Sequence, residues 1–225
     1  MRWGVLQFPG SCDERDALLA CERTGAEARL VWHEERDLSG IDAVVVPGGF
    51  SYGDYLRAGA IARFSPAMEA VGEFAADGGP VLGICNGFQV LCEAGLLPGA
   101  LLLNESMRFQ CRQLDLTEEP RGDLSTPERA QIASRVLSIP AKHGEGRFWA
   151  PDEVLDQLEA QKQVAYRYAP GENPNGSARD IAGVRSEAGN VVGLMPHPEH
   201  AVDPLTGSTD GLRVFEAVAA AGATA

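Results

Sequence analysis

The chain has 225 residues, 44% hydrophobic and 23% charged, with a formal net charge of -13 and a pI near 4.7. That length fits one fairly large domain or two small ones, and the composition excludes global disorder. So acidic a surface repels phosphate backbones and anionic lipid headgroups, which sets nucleic acid and membranes aside as partners; its plain physical reading is solubility.

Trp3 to Phe8 reads as a first strand closed by Pro9-Gly10. Ser11 and Glu14 have the spacing of a capping box and predict a helix running to about Thr24, with Gly25 ending it. Ala28 to Trp32 is a second strand, and Ala43 to Val46 a third, short and β-branched as a buried parallel strand should be. Ser65-Pro66 opens a helix that stops near Gly78-Gly79. Val81 to Ile84 is a fourth strand with a helix, Asn86 to Ala94, directly behind it. The second half is denser in strand signals: Leu101 to Leu103, Met107 to Leu116, Val136 to Ile139, Val164 to Tyr168, Ile181 to Arg185 and Val191 to Met195. Pro151 to Gln161 and Thr209 to Ala221 have helical patterns. Thr117 to Arg129, polar and holding Pro120 and Pro127, reads as a loop or insertion.

Strand-helix alternation in the first half implies a mostly parallel sheet with helices on both faces, and the later strands imply an antiparallel addition at one edge. With no linker, repeat or low-complexity tract, residues 1–225 read as one α/β domain. No apolar run approaches the roughly 20 residues a membrane helix needs. The N-terminal stretch, broken by Gln7 and Pro9, is too short for a signal-peptide core. Five cysteines (Cys12, Cys21, Cys85, Cys92, Cys111), an odd number without a CxxC pair, predict free thiols in a reducing, cytoplasmic setting.

One cysteine stands in a special frame. In Val81-Leu-Gly-Ile-Cys-Asn-Gly-Phe-Gln89 an apolar strand ends at Ile84 and a helix begins just after Cys85, with Gly83 and Gly87 two residues away on either side. This is the glycine spacing of a nucleophile elbow with Cys in place of Ser. A sharp strand-to-helix turn lifts the central side chain above the sheet, requires small neighbours, and sets free N–H groups and positive potential beneath the sulfur. Alone, the pattern serves a buried core cysteine equally well. The other four cysteines lack such a frame and read as plain fillers.

A nucleophilic thiol needs a base, and the base an orienting group. In Gly193-Leu-Met-Pro-His-Pro-Glu-His200, His197 is stiffened by two prolines, and Glu199 lies two residues on, on the same side of an extended segment. Of the remaining histidines, His33 sits among acidic residues, and His143, in His143-Gly-Glu-Gly146, is the rival base. A metal set from His197, Glu199 and His200, with His143 and Glu145, lacks both the helical H-E-x-x-H spacing and a nearby Cys pair, so no metal is expected. Pro47-Gly-Gly-Phe-Ser-Tyr-Gly53 follows the third strand without a phosphate-loop pattern, and the only lysines, Lys142 and Lys162, follow no such loop. Its glycines suit an oxyanion hole, with the Asn86 N–H as the second donor; a plain Gly-rich turn is the alternative.

Taken in this order, the loop Pro47-Gly-Gly-Phe50, the elbow Gly83-Ile-Cys-Asn-Gly-Phe-Gln89 and His197-Pro-Glu199 resemble the class I (triad) glutamine amidotransferases. Gly48-Gly-Phe-Ser-Tyr-Gly-Asp-Tyr-Leu-Arg57, His143-Gly-Glu-Gly146, Asn175-Gly-Ser177 and Met195-Pro-His-Pro-Glu199 resemble, within that family, the glutaminase subunits of phosphoribosylformylglycinamidine synthases of purine biosynthesis. Pro9-Gly-Ser11 and Trp32-His-Glu-Glu35 extend the resemblance over nearly the whole chain. Two positions depart from it: Ser11 meets Cys12 directly where the family usually has an intervening Asn, and His200 stands where Arg is frequent.

The resemblance implies a flavodoxin-like amidotransferase fold and a Cys85–His197–Glu199 triad. Cys85 would attack the amide of L-glutamine to form a glutamyl thioester, with the oxyanion held near Gly49, Phe50 and Asn86 and with Gln89 touching substrate. It implies no cofactor in this chain. ATP and Mg²⁺ would belong to a separate synthetase subunit, joined by a small assembly subunit, that converts formylglycinamide ribonucleotide with the released ammonia. Asp54, Arg57, His143 and Glu145 are candidate interface or pocket residues. The competing readings are a cysteine hydrolase on an α/β-hydrolase-like frame, whose acid usually lies well before the His, and a binding module with an inert Cys85.

Overall fold

The computed structural model describes residues 1–119 and 136–222. In chain order its strands are β1 (Arg2–Gln7), β2 (Glu27–Trp32), β3 (Ala43–Val46), β4 (Val81–Ile84), β5 (Ala100–Leu102), β6 (Gln110–Glu118), β7 (Val136–His143), β8 (Arg147–Trp149), β9 (Val164–Tyr168), β10 (Ile181–Arg185) and β11 (Val191–Leu194). The helices are α1 (Glu14–Arg23), α2 (Pro66–Ala76), α3 (Asn86–Glu93), α4 (Asp152–Ala160) and α5 (Gly211–Gly222). None is long and apolar enough to cross a membrane.

A nine-stranded sheet runs β2-β1-β3-β4-β11-β10-β9-β6-β7. From β2 to β11 neighbouring strands are parallel; from β11 onward they are antiparallel. The chain steps one way along the sheet from β1 to β2 and the other way from β3 to β4, so right-handed crossovers put α1 and α2 on opposite faces. Every residue of β3 and β4 is buried, as strands covered on both faces require. Strand β7, at the edge, alternates between buried and partly exposed. On one face Trp3 packs edge-on against Phe215 of α5; near the site Phe88 of α3 stacks on Phe148.

Local signals decide most element ends. Ser65 caps α2 by accepting from the Met68 N–H, and Pro66 fills the first turn. Thr24 closes α1, and Gly25 follows at φ 81°. The predicted capping box does not form: α1 is preceded by Asp13, Ser11 Oγ accepts instead from the Phe8 N–H, and the Glu14 carboxylate accepts from Gln7. Two further expectations are corrected. Thr117 and Glu118 belong to β6, because Thr117 pairs with Val136 on one side and Arg167 on the other; residues 120–129 of that segment lie outside the described residues. The strand beginning at Val136 continues through Pro140 to His143, and β8, absent from the sequence reading, pairs with β5 in a separate two-stranded sheet.

Candidate active site

The C-terminal ends of β3, β4 and β11 lie side by side at the middle of the sheet, and the loops leaving them meet there. Ligands of open α/β sheets bind at this edge. Cys85 ends β4 at φ 50° and ψ -103°, a conformation few L-residues adopt, and its N–H donates to Leu194 O at 2.9 Å. Both flanking glycines are sterically required. A Cβ on Gly87 would lie 1.8 Å from Val46 O, and one on Gly83 would lie 2.9 Å from Gly87 O, both backbone atoms. The turn thus holds the thiol above the sheet at the start of α3, where the first N–H groups have no partner within the helix.

His197 follows β11 and is almost fully buried; its backbone N–H donates to Pro140 O on β7 at 2.8 Å. Nδ1 lies 2.6 Å from Glu199 Oε1. A carboxylate only accepts, so Nδ1 carries a proton, which leaves Nε2 as the nitrogen that can exchange a proton with a neighbour. Nε2 has no hydrogen-bond partner among the described residues, and His197 and Cys85 line the same pocket. Burial works against charge on His197, but the negative charge of Glu199 and the neighbouring Cys85 outweigh it and raise its pKa to about 10. A thiol and an imidazole in one pocket, with a carboxylate holding the imidazole Nδ1, are the groups that nucleophilic acyl transfer uses.

The loop after β3 turns one backbone N–H away from the segment it bridges. Phe50 N–H donates to Gly10 O at 2.9 Å and Gly48 O accepts from Cys12 N–H at 3.2 Å, which pairs Ser11 with Gly49 in an antiparallel bridge. In such a bridge the N–H of the central residue turns away from its neighbour. Gly49 N–H therefore faces outward while Phe50 N–H is committed. Gly49, at φ 141°, has no room for a side chain, since a Cβ would lie 2.6 Å from Cys12 N. Asn86 ties this loop to α3: its Oδ1 accepts from Ser51 N–H at 3.0 Å, and its amide donates to Asp54 and to Gln89 Oε1.

Cys85, His197, Gly49, Phe50, Gln89, Asp54, His143 and Glu145 all line one pocket. Glu199 stands behind His197 and Asn86 behind the glycine loop. Arg57 is not among the lining residues; its guanidinium makes a bidentate pair with Glu93, at 2.6 Å for both bonds, on the surface. The Gln89 side chain is engaged within the protein, since its Nε2 donates to Glu145 O at 2.5 Å. His143 is fixed differently from His197. Asn104 donates its amide to two carbonyls, so its Oδ1 faces His143 Nδ1 at 3.1 Å as an acceptor. Burial, followed by the charge on His197, pushes the His143 pKa down to about 4. Asp54 moves the opposite way: burial and then Glu145 raise it to about 6, against the Asn86 hydrogen bond.

Asp13, Lys142 and Cys12 escaped the sequence reading. Asp13, 3% exposed, receives Lys142 Nζ at 2.5 Å and His200 Nε2 at 3.3 Å on Oδ1, and its Oδ2 lies 3.6 Å from His197 Nδ1. Cys12 lines the same pocket as Cys85. The available signals were Asp13's place at the end of the Pro9-Gly-Ser motif and Lys142's place beside His143 as one of only two lysines. The ligand atoms of Asp13, His197, Glu199 and His200 lie within 4.8 Å of one another. The Lys142 ammonium is bound to Asp13 Oδ1 and His197 Nδ1 to Glu199 Oε1, so these atoms form a hydrogen-bonded charge network.

The family pattern of the CobB/CobQ-like glutamine amidotransferase domain matches residues 1–213. Phosphoribosylformylglycinamidine synthase subunit PurQ of Thermus thermophilus is 55% identical over 221 residues, 96% of each chain. The subunit of that name from Rubrobacter xylanophilus is 58% identical, over 98% of each chain. Among solved structures, a chain of PurLQS from Thermotoga maritima superposes with a TM-score of 0.85 at 42% identity, covering 96% of each chain.

Proposed function

The chain belongs to the CobB/CobQ-like glutamine amidotransferase family, and from that membership we propose that it is the glutaminase subunit of a phosphoribosylformylglycinamidine synthase. The observation that carries the reading is a cysteine on a strained elbow in the same pocket as a histidine whose Nδ1 is held at 2.6 Å by Glu199. Likeness to the PurQ subunits of Thermus and Rubrobacter supports the choice among amidotransferases.

Cys85 Sγ attacks the side-chain amide carbon of glutamine, and the thiol proton passes to His197 Nε2. The negative charge that develops on the amide oxygen is met by the N–H groups of Gly49 and Asn86, fixed before substrate arrives and therefore requiring no reorganisation. Imidazolium, stabilised by Glu199, returns the proton to the departing nitrogen, leaving ammonia and a glutamyl thioester. A water molecule, deprotonated by the same Nε2, then releases glutamate and restores the thiol.

The ammonia is handed to a synthetase subunit that carries the ATP and Mg²⁺ sites, in a complex completed by a small third subunit. Neither of the two lysines follows a glycine loop of phosphate-binding pattern, and Lys142 is paired with Asp13. Phe50 and Phe109 line the pocket and are exposed, and Tyr55 and Leu56, 75% and 89% exposed, follow pocket-lining Asp54 in the chain. Exposed apolar side chains on and next to pocket-lining residues support docking of the synthetase there. The test is labelling with a glutamine-like electrophile: modification at Cys85, blocked by glutamine, is the expected result, together with slow glutamine hydrolysis that the synthetase and its nucleotide accelerate. Unreactive Cys85, or formylglycinamidine ribonucleotide made by this chain alone, would refute it.

A further inference from the structure

The triad leaves unexplained a buried carboxylate on its far side. We propose that Asp13 is a positioning residue of the glutaminase reaction, a second carboxylate beside the His197 imidazole whose influence is set by its ion pair with Lys142. The inference rests on the amidotransferase reading above.

Asp13 comes from a different part of the chain than the triad, at the residue before α1, and the fold goes to some length to bring it there. Its N–H and that of Cys12 both donate to Gly48 O, at 3.3 and 3.2 Å. Gly48 itself lacks the Cβ that would stand 2.4 Å from Asp13 Oδ2 and 2.8 Å from His197 Cε1. A side chain at position 48 would therefore wedge the carboxylate from the imidazole. Asp13 Oδ2 lies 3.6 Å from Nδ1, too far to compete with Glu199 for the proton yet near enough to act as a charge between two buried side chains. The other oxygen is claimed by Lys142 and His200. Burial opposes ionisation of Asp13, but those hydrogen bonds and the charge of His197 hold its pKa well below the usual carboxylate range.

The groups facing His197 are Glu199 and His200 from its own loop, Cys85 from the elbow, His143 and Lys142 from β7, and Asp13 from the start of α1. Asp13 adds negative charge beside the imidazolium, which must form when the thiol is deprotonated. Lys142 offsets part of that charge. Removing the two partners therefore shifts His197 in opposite directions, a signature that loss of packing does not produce.

The experiment is the pH profile of kcat/KM for glutamine hydrolysis by the full chain, with Asp13→Asn, Lys142→Gln and a Cys85→Ala blank. The basic limb, where His197 gives up the proton it delivers to ammonia, is expected to move down by about one pH unit in Asp13→Asn and up in Lys142→Gln, since one neighbouring charge shifts a pKa by about that much or more. Lys142→Arg should restore the wild-type limb. If Asp13→Asn does not fold, the half-exposed Lys142→Gln alone must show the upward shift. Limbs that stay in place, or move the same way in both variants, overturn the inference while leaving the glutaminase reading intact. A wild-type chain without Cys85-dependent hydrolysis removes both.

Discussion

Replacing Gly87 by Ala tests the elbow with the smallest possible change. The new Cβ would sit 1.8 Å from Val46 O and 2.5 Å from Val46 C, where ordinary contact begins near 3.4 Å. The shortfall to the oxygen, 3.4 − 1.8 = 1.6 Å, falls on the backbone of fully buried β3, where no side chain can rotate away. Either α3 shifts outward or β3 is pushed from the sheet. Overpacking of this kind costs about 1–3 kcal/mol, and for a chain of this size each kcal/mol lowers Tm by about 2–4 °C. Because α3 begins at the residue after Cys85, the nucleophile moves with it, and a misplacement of about 1 Å costs roughly 100-fold in rate. Gly72→Ala is the matched control. It lies inside α2 with nothing within 4 Å of its Cβ, so it should stabilise by about 0.5–1 kcal/mol and leave hydrolysis unchanged. Thermal melts and glutaminase assays on both variants decide the matter. Wild-type Tm and rate in Gly87→Ala would refute the steric reasoning.

Four other outcomes are expected. Cys85→Ala abolishes hydrolysis, whereas Ala at Cys21, Cys92 or Cys111 leaves most of it, as measured by glutamate release. His197→Ala loses at least about 1,000-fold and Glu199→Ala less, while His143→Ala retains more than His197→Ala; the reverse order for the two histidines would reassign the base. Asp54→Asn should raise the urea midpoint at pH 8 but not at pH 4: a carboxyl whose folded pKa is raised from 3.8 to about 6 destabilises the fold as pH rises through that window and is neutral below it. Leu56→Ser should weaken activation by the synthetase about tenfold, read from the concentration needed for half-maximal glutaminase rate.

The elbow was legible because it is local: glycine spacing around Cys85 encodes geometry over a few residues. Glu199 does meet His197, but on a 3-10 turn over Pro198–His200 rather than on the extended segment that the two-residue step suggested. The parallel half of the sheet was legible for a similar reason, since β3 and β4 are continuous apolar runs. Asp13 and Lys142 were not, because their meeting joins residues 129 positions apart and depends on β7 running past Pro140. A proline in a strand pattern reads as a stop, but β7 lies at the sheet edge, where a missing N–H is tolerated. Ser11 and Glu14 show the converse failure. Their capping-box spacing is correct, but Ser11 serves the turn at Phe8 and Glu14 receives Gln7, so tertiary partners displaced a local motif.

The pairing of β4 with β11 bears on biogenesis. Val81 is in register with Val191, and the Cys85 N–H is held by Leu194 O. Strands β1 to β4 leave the ribosome long before β11 does, so the central seam of the sheet stays open until residues 191–194 have been made. Cys85, His197 and the strand that braces the Cys85 turn are then brought together in one late step, together with the Pro140 carbonyl on β7 that holds the His197 N–H. Contacts this distant in sequence form slowly. A chain cut before β11 therefore lacks both the strand that holds the Cys85 turn and the residue, His197, that shares its pocket.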